Sequence, residues 1–398
     1  MKTTANCLLV LLVVIGSTAM AQQPCSSGPP PTAVIDWSEF RFDLCHAGFN
    51  PYEFVLSPAT VGGLHELWSY NVGATVWSSP AVANGMVYFG SDDDNLYALD
   101  SHTGALRWTY PTAASIWSSP AVADGVVYFG AGTTYDPGDY SVYALNATTG
   151  AMLWKYTTGG NVQSSPAVAE GVVYAASADG NLYALNASTG ALVWKYTGVT
   201  GTWSSPAVAN GVVYVGSSDA YEYAVNAADG TLLWRFQTGA NINSSPAVVN
   251  GVLYTGSGRG DSHVYALDAG TGALKWKYQT GDGVDPSPAV ANGIVYAGSY
   301  DGNLYALDAN TGALVWNYAT GLDFSSPAVA NGVVYVGAYA LDVGTGTLLW
   351  QDQGLQCCIS SSAIASGVVY IASSDGTVYA FGLPIAKSAA SVTQVVQP

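Results

Sequence analysis

The chain has 398 residues, of which 49% are hydrophobic and only 9% charged, and its 10 Lys+Arg face 27 Asp+Glu for a net charge of −17. Such a chain repels phosphate backbones, which excludes nucleic-acid binding, and it is unsuited to anionic lipid surfaces. Its 46 glycines and 27 tyrosines point to short strands and tight turns rather than long helices or disorder.

Residues 1–21 read as a signal peptide. Lys2 gives a positive start, residues 8–15 form an apolar run too short to span a bilayer, and Ala19-Met20-Ala21 offers a small-residue cleavage site. The mature chain is therefore expected to be exported, periplasmic or extracellular, soluble, monomeric and without a membrane span. Four cysteines would remain, Cys25, Cys45, Cys357 and Cys358. An even number in an exported chain suggests disulfides, with three pairings open. Gln22-Gln23-Pro24 ahead of Cys25 argues against a lipid anchor. Residues 22–62, with Pro29-Pro30-Pro31 and an aromatic-rich irregular stretch, are expected to form a strap, and residues 383–398 a flexible tail.

Residues 63–382 are a repeat. Ser-Ser-Pro-Ala-Val or a near copy occurs eight times, with Pro80, Pro120, Pro166, Pro206, Pro246, Pro288, Pro327 and Ser362 at the proline position, a period near 40. In each unit a short apolar run meets an Asn-Gly-like pair such as Asn210-Gly211, and a second run follows. A polar turn leads to a Leu-Tyr-Ala-Leu-type run, and a Thr-Gly turn to a fourth run ending near a tryptophan. Asn-Gly between β-rich runs is a strong hairpin signal, because a type I′ turn needs positive φ twice. The expected fold is all-β: an eight-bladed β-propeller of four-stranded antiparallel blades. The last unit lacks a fourth run, so residues 64–70 are expected to supply it, closing the ring and removing its exposed edges.

Eight of the twelve tryptophans lie on these fourth runs: Trp68, Trp108, Trp154, Trp194, Trp234, Trp276, Trp316 and Trp350. The pattern Ala98, Asp100, Thr103, Gly104, Trp108 recurs as Ala184, Asn186, Thr189, Gly190, Trp194 and as Ala306, Asp308, Thr311, Gly312, Trp316. It resembles the tryptophan-docking motif of the PQQ-type (quinoprotein alcohol dehydrogenase-like) propeller repeats. The chain is also similar in kind to the propeller lipoproteins of the outer-membrane β-barrel assembly machinery. The resemblance implies that these tryptophans are structural and dock between blades.

Function is expected on the face where the units differ. The first-to-second and third-to-fourth turns share one nearly uniform face. The residues entering each first strand belong to the other, and they diverge: Trp77, Trp117, Gln163, Trp203, Asn243, Asp285, Phe324 and Ile359. Loops on a rigid scaffold commonly carry function. Trp77, Trp117, Trp203 and Phe324 are expected to form an aromatic platform with Gln163, Asn243 and Asp285 beside it, suited to a quinone, a sugar or a peptide side chain. The Cys357-Cys358 pair belongs to this face and offers either a vicinal disulfide or two separate bridges. In quinoprotein alcohol dehydrogenases a vicinal disulfide covers the quinone, so the resemblance admits PQQ with calcium. The ring supplies only Asp285 as a carboxylate, however, and few cations. No catalytic residue, no metal site and no cofactor are expected. The preferred reading is a non-catalytic binding or scaffold protein of the cell envelope whose partner is an envelope protein or a glycan. A PQQ-dependent oxidoreductase and a carbohydrate-binding propeller are the alternatives.

Overall fold

A computed structural model describes residues 36–384 apart from 136–137, 202, 322–324 and 356–359. Eight antiparallel sheets surround a central channel. Blade 1 is typical, with strands Ala81–Ala83, Met86–Gly90, Asn95–Asp100 and Leu106–Pro111 from the axis outward. Asn84 and Gly85 join the first two with φ of 53° and 76°, the paired positive values that this two-residue turn demands. The eighth blade takes Ala363–Ala365, Val368–Ala372 and Thr377–Gly382 from the end of the chain and His65–Asn71 from its beginning. Trp68 pairs with Ala380 there, in the same register as Trp108 with Ala98 in blade 1, so the ring closes as expected with the strand at His65–Asn71 rather than 64–70.

The blades hold together through the tryptophans. Trp154 donates its indole N–H to the Ala187 carbonyl of the next blade at 2.8 Å, and Tyr128 of the same blade donates to that carbonyl at 3.2 Å. The same arrangement joins Trp108 and Tyr88 to Ala147, Trp194 and Tyr174 to Ala227, and Trp276 and Tyr254 to Ala309. Trp68, Trp234 and Trp316 dock likewise on Ser101, Ala269 and Val343. Trp350 reaches the Leu64 carbonyl at 3.2 Å, where the motif has lost its glycine. The glycine matters elsewhere because a Cβ on Gly190 would stand 2.7 Å from the Trp154 ring.

Residues 36–58 run along the face of the first-to-second turns. Trp37 exchanges two 2.8 Å hydrogen bonds with Val82, and the carbonyls of Ser38, Leu44, Cys45, Ala47 and Gly48 accept the amides of Val122, Val208, Val248, Val290 and Val329. All of those valines lie on innermost strands. Phe49–Asn50 then adds a short parallel strand beside Ala328–Ala330 of blade 7. The segment thus crosses the channel from blade to blade and closes its uniform end.

Candidate functional site

The innermost strands run along the channel, so sequence order becomes depth. Entering from the variable face, Trp77, Trp117, Gln163, Trp203, Asn243 and Asp285 come first. Phe324, Cys357 and Cys358, which sequence reasoning placed with them, lie outside the described residues. Below come serines. In each pair the first residue, where it is serine, mostly turns into its own blade, as where Ser118 and Ser204 accept the Gly130 and Gly216 amides, while Ser244 donates to the Pro286 carbonyl of the next blade. The second faces the channel. Its Oγ accepts the amide of the matching serine in the preceding blade, in the order Ser79, Ser119, Ser165, Ser205, Ser245, Ser287, Ser326, Ser361 and back to Ser79. These bonds form a closed hoop, seven of them at 2.9 Å and the one from Ser326 at 3.3 Å.

The carbonyls of Pro246, Pro288 and Pro327 face the plugging segment. The fully buried Arg41 donates to the Pro327 and Pro288 carbonyls at 2.6 and 2.7 Å. Burial draws its guanidinium down to about 9, against the pull of Asp43. Burial and the Arg41 charge hold His46 neutral, near 3. Burial, with Asp43 adding, pushes Glu39 up to about 8. Phe40 rises from this segment as the floor of the open end.

Between floor and mouth lies a cavity of about 180 Å³. One side of it is aromatic. Trp77 and Trp117 lie 5.0 Å apart at 32°, and Trp203 meets Trp117 edge-on at 5.8 Å. The Trp117 indole is fixed by a 2.6 Å bond to Asp92 Oδ1. Opposite, Asp285 Oδ2 accepts from Asn243 Nδ2 at 3.0 Å and from the Tyr300 hydroxyl at 2.9 Å. Its Oδ1 is buried with no partner, as is Gln163 Nε2. Gln163 Oε1 is occupied by Asn161 Nδ2 and Thr134 Oγ1, both at 3.2 Å, which turns the amide nitrogen the other way.

Sequence reasoning missed the serine hoop, Phe40 and Tyr300. The hoop was signalled by an unvarying second serine in every unit. Phe40 and Tyr300 carried no repeat signal.

Fold and channel together define an eight-bladed propeller of PQQ-like repeats. The model of the family described as outer membrane protein assembly factor BamB matches residues 63–197, 138–263 and 260–383, and the chain belongs to that family. Among solved structures, BamB from Moraxella catarrhalis is 18% identical with a TM-score of 0.70, the match covering 80% of this chain and 100% of that one. A quinohemoprotein alcohol dehydrogenase from Comamonas testosteroni is 16% identical with a TM-score of 0.73, covering 88% and 82%. A europium-containing methanol dehydrogenase is 15% identical with a TM-score of 0.72, covering 88% and 98%. These likenesses establish the fold. A comparison with curated proteins gives no match. No helix among the described residues is long and apolar enough to cross a membrane.

Proposed function

We propose that the chain is an exported, non-catalytic binding scaffold of the cell envelope that serves outer-membrane protein assembly, as the name of its family indicates. The observation that carries this reading is the one-sidedness of the channel. The uniform end is closed by the chain's own residues 36–58, whereas no described residue covers the aromatic-lined mouth at the divergent end. Export is supported by the signal-like residues 1–21 and by Cys45, which is buried and disulfide-bonded.

The side chains do not suit a quinone cofactor with calcium. Calcium asks for six to eight oxygen ligands, and Asp285 is the one carboxylate among the described lining residues. PQQ carries three carboxylates, and no cationic side chain lines the described cavity. Arg41 is spent on two carbonyls and Arg259 on Asp282 and Tyr300. The cavity of about 180 Å³ also falls below the roughly 300–1,000 Å³ of ordinary cofactor pockets. We therefore derive no redox step.

The test is site-specific photocrosslinking in the cell envelope, with the probe at position 203 on the variable face or position 210 on the uniform one. The expected result is an adduct with an outer-membrane assembly protein from position 203 only. Equal yields from both positions, or PQQ-dependent dye reduction by the purified protein, would overturn the reading.

A further inference from the structure

We propose that Cys45 is bonded to Cys25 and that this bridge clasps the beginning of the exported chain onto the closed end of the channel. The clasp lies at the end opposite the divergent mouth and is independent of what that mouth binds.

Cys45 is buried and disulfide-bonded. Backbone bonds fix its place: its carbonyl accepts the Val248 amide at 2.8 Å, and the Leu44 carbonyl accepts that of Val208 at 2.7 Å. Its Sγ lies 3.5 Å from the Val208 carbonyl oxygen. The sulfur therefore sits at the uniform end between the innermost strands of blades 4 and 5, Ala207–Ala209 and Ala247–Val249. The other cysteines, Cys7, Cys25, Cys357 and Cys358, lie outside the described residues, so reach from described neighbours selects the partner. A disulfide needs its Cα atoms within about 7 Å. Cys357 and Cys358 precede Ser360 of blade 8, which stands across the ring from blade 4. Ser360 matches Ser244, four positions above Val248, a drop of roughly 13 Å at the rise of a strand. Eight strands no closer than about 4.8 Å make a ring roughly 12 Å across, which sets Ser360 and Cys45 roughly 15–18 Å apart. Cys358 adds at most about 7 Å of chain beyond Ser360, so even with the bridge it falls short. Cys357, at about 11 Å, would need a straight line through the channel floor that Phe40 occupies. Cys7 belongs to the signal-like residues 1–21 and leaves with them. Cys25 remains. The eleven steps from it to Asp36 span up to roughly 36 Å, ample to run from blade 1, where Trp37 is bonded, to blades 4 and 5.

The bridge changes what holds the plug. The described contacts of residues 36–58 with the innermost strands are hydrogen bonds and packing, with Arg41 at their centre. A Cys25–Cys45 bond closes a covalent loop that contains Arg41. Forming it takes two protons and two electrons from the two thiols. They pass to the disulfide of an envelope thiol oxidoreductase, which leaves as a dithiol. A sulfur used in this way carries no thioether-linked lipid.

The test is peptide mapping of the protein recovered from the cell envelope, with free thiols alkylated first. A cross-linked Cys25–Cys45 peptide is expected. Alkylated Cys45, Cys45 joined to Cys357 or Cys358, or a lipid thioether on Cys25 each overturns the proposal. Amide exchange of Cys25→Ser separates a clasp from a bond that holds nothing. Opening a loop of roughly 20 residues should quicken exchange at Val208 and Val248 about tenfold or more. Ser205 and Ser245 in the hoop should keep their wild-type rates. Mild reduction of the wild-type protein should reproduce the pattern without any substitution. Unchanged rates at Val208 and Val248, or equal quickening in the hoop, overturn the clasp.

Discussion

Replacing Glu222 by leucine is expected to stabilise the propeller, increasingly so as pH rises. Glu222 stands on the third strand of blade 4, Tyr221–Asn226, in the slot that other blades fill with Leu96, Val142, Leu182, Val264, Leu304 and Val378. It is fully buried and neither carboxyl oxygen has a hydrogen-bond partner. Burial pushes its carboxyl from 4.5 up to about 8, and Thr255 on blade 5 offsets little of this. The sign follows from proton counting. Between pH 4.5 and 8 the folded chain keeps a proton that the unfolded chain releases, so stability falls as pH rises through that window. At about 1.4 kcal/mol per pH unit, the cost reaches roughly 3 kcal/mol at pH 7 and about 5 kcal/mol above pH 8. Glu222→Gln removes the proton dependence while keeping a polar group, and Glu222→Leu also restores the apolar contact. The assay is urea unfolding of wild type and both variants from pH 4.5 to 8.5, taken as differences so that Glu39 cancels. A difference that widens with pH supports the reasoning. A difference that stays flat across the window refutes it, because the carboxylate would then be solvated or paired in the folded protein.

His46 acts in the opposite sense. It is held neutral near 3 in the fold, so wild type should lose about 1.4 kcal/mol per pH unit as pH falls below 6.5, and His46→Gln should lack that slope in acid unfolding curves. Arg41→Met leaves two buried proline carbonyls without donors. At about 1–3 kcal/mol for each unsatisfied group, amide exchange of Gly48 should accelerate well before that of the blades. Gly190→Ala sets a Cβ against the Trp154 ring at a φ of 70°. It should destabilise by about 2–4 kcal/mol through overpacking and backbone strain, read as a lowered urea midpoint with the cost centred on blades 2 and 3.

The fold was legible because each unit states it again. Turn chemistry at Asn84-Gly85, the docking tryptophans and the missing last strand follow from local rules that eight copies repeat. The mouth was legible for a related reason: Trp77, Gln163 and Asp285 break a pattern that the neighbouring serines and prolines keep. Reading only for differences hid what is constant. Ser79, Ser119 and their counterparts mark only the repeat in sequence, since a hoop of side chain to backbone bonds joins residues about 40 positions apart and no local pattern announces it. Arg41 and Phe40 were hidden because residues 36–58 have no periodicity, and their places follow from carbonyls and amides supplied by other blades. Glu222 did leave a trace, a charged residue in a Leu-Tyr-Ala-Leu-type run, but only burial gives it meaning.

The division of labour along the channel explains why divergence collects at one end. At the uniform end every innermost strand hands backbone groups to the plugging segment or to its own hairpin, so side chains there answer to packing. At the hoop, each serine hydroxyl satisfies a neighbour's amide, and any residue without such a hydroxyl would leave a buried donor unpaired, at about 1–3 kcal/mol each. Two positions higher those obligations end. Trp117 and Gln163 occupy equivalent sites in adjacent blades, yet one is anchored to Asp92 and the other to Asn161 and Thr134. Each has its own support on its own loop, so the frame tolerates either. A scaffold of this kind can change what its mouth recognises without altering what holds it shut below.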